Sequence, residues 1–201
     1  MKIIGIMGGT FDPPHFGHLY AAKAACEAAQ LDHILFIPNG TPAYKTLEGR
    51  ITSKEHRCGM LQRLIEGEVW CELSMMECER EGNTYTADTL QELTKRNPDI
   101  RYELIVGSDS LKGMANWYHP EIIFRLAGII VLLRDKDTEE TLAETVKRYE
   151  TDYGAGIRFV PFEKQEISST QIREKVKSGE KLTGLVPEGV ERYISEHRLY
   201  R

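Results

Sequence analysis

Apolar positions fall along the chain in short, nearly unbroken runs: KIIGIMG (2–8), HILFIPN (33–39), VWCELSM (69–75), YELIVGS (102–108), GIIVLLR (128–134) and IRFVPF (157–162). Runs of this length with little polar alternation predict strands buried on both faces. Between and after them, apolar residues recur at helical spacing and predict helices over 18–29, 53–65, 87–96, 121–126, 138–150, 169–178 and 188–198. In the first of these, Leu19, Ala22, Cys26 and Ala29 fall at helical spacing.

Such strands alternating with amphipathic helices predict a doubly wound, Rossmann-like parallel sheet in the α/β class, with helices on both faces and a helical C-terminal portion. The sequence has no internal repeat, no low-complexity tract and no long Gly/Ser linker, so 1–201 reads as a single domain. Ligands of this architecture sit outside the carboxyl ends of the strands, where the strand order switches. The turns after strands are therefore the places to look for chemistry.

Composition narrows the classes. With 41% hydrophobic and 28% charged residues the chain has an ordinary globular balance, and 201 residues can bury a substantial core. A net charge of −5 argues against nucleic acid as a partner, so an anionic ligand needs a local concentration of positive groups. Cys26, Cys58, Cys71 and Cys78 form no CxxC pair and no metal spacing, and read as reduced core or half-buried thiols. No stretch approaches a membrane span and no signal-like apolar region opens the chain. The expectation is a protein of the reducing cytoplasm with no membrane partner; the oligomeric state, homo-oligomer included, stays open.

The turn after the first strand, GGTFDPPHFGHL (8–19), carries the strongest chemical signal. Gly8 and Gly9 let the backbone approach a bulky ligand, and Pro13 and Pro14 stiffen the entry to the helix. The helix start offers free N–H groups and a positive dipole end, and His15 and His18 stand three apart above it. Read alone, the stretch suits a phosphate site or an ordinary tight turn; zinc is disfavoured because no HExxH glutamate or third ligand is evident. A second helix start, ISSTQIRE (167–174), offers Ser168, Ser169 and Thr170 as caps. Arg173 in its first turn is unfavourable against the dipole unless an anion sits there, which turns an ordinary helix start into a candidate polyphosphate clamp.

Together these two stretches resemble the signatures of the nucleotidyltransferase superfamily, the HxGH-type and SSTxIR-type motifs. IPNGTP (37–42), NTYTADTLQEL (83–93), IVGSDSLKGMANWYHPEII (105–123) and the closing VPEGVERYISEHRLY extend the resemblance, in order, to the bacterial nicotinate mononucleotide adenylyltransferases. The resemblance implies transfer of AMP from ATP to nicotinate mononucleotide, giving deamido-NAD and pyrophosphate, with Mg²⁺. It also implies roles by position. His15 and His18 contact the ATP phosphates, over a backbone cradle from Gly8, Gly9, Thr10 and Phe11. Thr170 and Arg173 hold the departing phosphates, with Ser168 shaping that helix start. Gly107 and Asp109 take the adenosine ribose, and Arg134 borders the adenine. Tyr85 and Thr86 offer N–H groups to the nicotinate carboxylate, and Trp117 stacks on the pyridine ring. One stretch departs: where the family has a PPHK- or PPHR-like loop, this chain has Pro42-Ala43-Tyr44-Lys45, keeping the basic residue as Lys45.

The chemistry suits these residues. Two anions must meet, and the histidines, Lys45, Arg173 and two helix N-termini supply the compensating charge without a covalent nucleophile. The residues by themselves leave alternatives. Trp117 also suits a core aromatic, and Asp109 a helix cap. A related transferase with another acceptor, such as phosphopantetheine or a cytidylyltransferase substrate, shares much of this pattern, and so does a nucleotide-binding regulatory module without turnover.

Overall fold

The computed structural model describes residues 1–42, 51–133, 137–163 and 166–201. Six strands form one parallel sheet: β1 (Lys2–Gly9), β2 (His33–Pro38), β4 (Cys71–Leu73), β6 (Ile100–Gly107), β7 (Ala127–Leu133) and β8 (Ile157–Pro161), ordered β4-β2-β1-β6-β7-β8. Two short segments, β3 (Thr41–Pro42) and β5 (Asn83–Thr84), pair beside it. The helices are α1 (Phe16–Ala29), α2 (Lys54–Leu64), α3 (Met76–Glu79), α4 (Thr86–Arg96), α5 (Ser108–Gly113), α6 (Pro120–Leu126), α7 (Glu139–Tyr153), α8 (Ser169–Ser178) and α9 (Glu188–Glu196), with one 3₁₀ turn at Met114–Asn116. None is long and apolar enough to cross a membrane.

The unbroken apolar runs have the cause expected of them. Successive residues of each strand serve opposite layers: Ile34 and Phe36 pack with α1, α2, α8 and α9 on one face, while Leu35 and Ile37 pack with α4, α5, α6 and α7 on the other. In β7, Ile130 and Leu132 face the first layer, and Ile129 and Val131 the second. Helix α1 comes close to the sheet through Ala21, Ala22 and Ala25, all buried.

The strand order reverses at β1, between β2 and β6. Register makes this switch point a crevice. β1 pairs with β2 as far as Gly9↔Pro38, but with β6 only as far as Ile6↔Leu104, so the last turns of β1 and β6 part above the sheet.

Candidate active site

A cavity of about 950 Å³ lies in that crevice, walled by Gly8, Gly9 and Gly107 from the strand ends and by four helix starts. The start of α1 comes first. His15 takes the N-cap in extended backbone, with its ring 6% exposed, and His18 follows one turn on. The His15 backbone N–H donates to Nδ1 of His18 at 3.2 Å, and the two rings lie 3.8 Å apart. With Nδ1 accepting, the neutral His18 ring carries its proton on Nε2 as a donor. Both rings line the cavity.

The start of α8 is brought alongside by bonds that span the chain. Ser169 Oγ donates to the Pro13 carbonyl at 2.8 Å, and Arg173 Nη1 donates to the Asp12 carbonyl at 2.7 Å. Ser168 caps α8 by accepting from the Gln171 N–H, and Arg173 Nη2 donates to Thr170 Oγ1 at 3.0 Å. Two of the guanidinium's five donors serve these bonds, and the fork stands at a positive helix end. The two helix starts, more than 150 residues apart in sequence, thus form one surface.

The third start is that of α4. Tyr85 is its N-cap without a side-chain cap, so the first N–H groups of the helix open toward the cavity wall formed by Thr84, Tyr85 and Thr86. Trp117 lines the cavity while also packing against the second layer, and Tyr118, 48% exposed, lies 4.3 Å from the Tyr85 ring. Gly107 is the N-cap of α5, and Asp109 sits in that helix's first turn on the cavity wall. The cap alternative for Asp109 is therefore taken by Gly107.

Two residues of the expected backbone cradle also make contacts on the core side. Phe11 adopts a left-handed backbone (φ 52°) and is 2% exposed, its ring 5.0 Å from His18 and 5.9 Å from Phe36. Its side chain buttresses the histidine from the core side. Thr10 presents its carbonyl to Arg57. Lys45 and Arg134 lie outside the described residues, as do Ala43 and Tyr44.

Some site residues carry no motif and escaped the reading of the sequence. Glu77 is 5% exposed on the cavity wall, accepting from Thr89 Oγ1 at 2.7 Å and from Asn39 Nδ2 at 3.3 Å. Burial pushes its carboxyl above the ordinary range, with the Thr89 bond opposing. Asp12 accepts through its side chain from the Tyr200 hydroxyl at 2.6 Å and from the Thr52 N–H at 3.1 Å, fixing the turn from behind. Burial, then Asp12, holds the Tyr200 phenol protonated well above its usual value. The cysteines are free thiols, as expected, but Cys58 and Cys78 meet with sulfurs 3.3 Å apart. Among the described residues, no three His, Cys, Asp or Glu side chains form a metal cluster.

A switch-point crevice faced by two joined helix starts suits a nucleotidyltransferase, and residues 6–175 match the cytidylyltransferase-like family. A relative named "Probable nicotinate-nucleotide adenylyltransferase" from Lachnoclostridium phytofermentans is 41% identical over 200 residues, covering the whole of both chains. One of the same name from Halalkalibacterium halodurans is 38% identical, covering all of this chain and 92% of the relative. The fold matches that of Plasmodium falciparum nicotinic acid mononucleotide adenylyltransferase complexed with NaAD, with a TM-score of 0.79, 19% identity and coverage of 100% and 98%. The chain belongs to the nicotinate-nucleotide adenylyltransferase family.

Proposed function

We propose that the protein transfers AMP from ATP to nicotinate mononucleotide, forming deamido-NAD and pyrophosphate. A 5′-phosphate oxygen of the mononucleotide attacks the α-phosphorus, the bond from that phosphorus to the bridging oxygen breaks, and pyrophosphate leaves in line. The observation that carries this reading is the junction of the α1 and α8 starts through Ser169–Pro13 and Arg173–Asp12. Two histidines and a guanidinium brought beside one another in this way suit a polyphosphate.

In this reading His15 and His18 meet the phosphates over Gly8 and Gly9, and Thr170 and Arg173 hold the departing pair beside Ser168. Gly107 and Asp109 receive the ribose, Trp117 stacks on the pyridine ring, and the α4 N–H groups at Tyr85 and Thr86 receive the carboxylate. Lys45 and Arg134 keep, in this reading, the phosphate and adenine roles that the family resemblance implies. Nucleotidyltransferases of this kind use a divalent metal with ATP, and here Mg²⁺ suits the donors present. Mg²⁺ arriving with ATP would neutralise part of the triphosphate charge beside the histidines and Arg173. We read 1–201 as one domain acting in the cytoplasm.

The test is pyrophosphate release from ATP and Mg²⁺ with each of two acceptors. Fast release with nicotinate mononucleotide and release slower by about tenfold or more with the amide is expected, since only the acid gains a charge-assisted bond at the α4 start. Equal rates overturn the carboxylate pocket and keep the reaction. No release with either acceptor overturns the reaction.

A further inference from the structure

Arg57 is among the most deeply buried large side chains of the protein, 1% exposed, and it projects from a helix locked into the core by Met60, Leu61 and Leu64. Its guanidinium makes four hydrogen bonds to three separate stretches of chain. Nη1 donates to the Thr10 carbonyl at 2.9 Å, Nη2 to the Asn39 carbonyl at 2.7 Å and the Gly40 carbonyl at 3.1 Å, and Nε to the Thr52 carbonyl at 3.0 Å. Thr10 continues the Gly8–Gly9 turn, and Asn39 follows β2, the strand paired with β1 on the side away from β6. The Asn39 N–H donates to the Gly9 carbonyl at 2.8 Å, and Gly9 and Asn39 both line the cavity. The guanidinium therefore stands one layer behind the wall that faces the nucleotide.

Among the described residues, each of these acceptors is a neutral main-chain carbonyl and none is a carboxylate. The carbonyls satisfy the donors but bring no negative charge, so a buried positive charge remains that an anion in front of the wall offsets. The rigid fork reaches three loops at once, which a lysine ammonium at the same place does not.

We propose that Arg57 is a positioning residue for adenylyl transfer: it holds the phosphate turn and the loop after β2 in one frame and gives their shared wall a fixed positive charge for the triphosphate. This rests on the nucleotide reading of the cavity.

The test compares wild type with R57K and R57M. Affinity for a non-hydrolysable ATP analogue is read by calorimetry, and kcat by pyrophosphate release, each per folded molecule. R57M should weaken the analogue about tenfold and lower kcat about 100-fold, as loss of alignment does. R57K keeps the charge, so analogue affinity should stay within about threefold while kcat still falls about tenfold for want of the fork. If R57M does not fold, R57K decides. A cooperatively folded R57K with a lowered melting temperature but kcat and affinity within about twofold of wild type would show a merely structural residue and overturn the proposal. Wild type that binds the analogue yet releases no pyrophosphate with either acceptor overturns the reaction. The affinities of the variants still judge the Arg57 charge in that case.

Discussion

At the scale of the residue, the site depends on donors whose geometry is set before any ligand arrives. His18 is held by the His15 backbone N–H at its Nδ1, so His18→Ala removes both the proposed phosphate donor and a ring that packs on Phe11. The expected result is a kcat lower by about 100-fold with a smaller change in KM for the mononucleotide, measured by pyrophosphate release. Glu77 works differently. Its carboxyl is raised by burial above the ordinary value of 4.5, so the folded state favours the protonated form. Its contribution to stability is fully present below that ordinary value and is lost as pH rises through the raised folded value. Glu77→Gln should remove this part of the slope, read as a flatter curve of urea stability against pH above about 4.5 than the wild type gives.

At the scale of the element, close approaches between backbones decide how the loops sit over the sheet. Gly40 ends the stretch after β2, and a Cβ built there meets the Glu77 carbonyl oxygen at 2.1 Å. Both partners are main chain, so neither can swing away. Gly40→Ala should therefore destabilise the fold by about 2 kcal/mol in urea unfolding, by pushing the loop off α3. The helices themselves were legible because each buries one stripe, and the expected ranges lie close to those observed. Short elements were not legible. Helix α3 has four residues and α5 six, too few for a periodic pattern to show. Their starts are set instead by the ends of β4 and β6, yet α5 presents Asp109 and α3 presents Glu77.

At the scale of the whole molecule, the two ends of the chain meet behind the phosphate turn. Tyr200 donates to Asp12, and the phenol stays protonated far above assay pH because burial and Asp12 both resist its ionisation. Tyr200→Phe should lower stability by about 1 kcal/mol by differential scanning calorimetry, with the loss unchanged across neutral and mildly alkaline pH. Both motifs proposed to bind phosphate were visible as residue types at helix starts: glycines with paired histidines, and a hydroxyl run with an arginine. That they form one surface was not visible, because the bonds joining them run from Ser169 to Pro13 and from Arg173 to Asp12.

The sequence by itself determined the alternation of strands and helices and the burial of the sheet on both faces, and it marked two helix starts whose residue types suit phosphate. Each of these is a local property, carried by hydrophobic period or by a side chain beside its own helix dipole. Only the tertiary structure decided that Phe11 buttresses His18 from the core, and that Asn39 and Thr89 grip a buried Glu77. It also decided that Arg57 joins three loops behind the cavity. Those roles depend on which distant carbonyls, carboxylates and rings the fold brings within hydrogen-bonding or packing distance. A buried arginine or glutamate in an amphipathic stretch looks, in one dimension, like any other solvated charge.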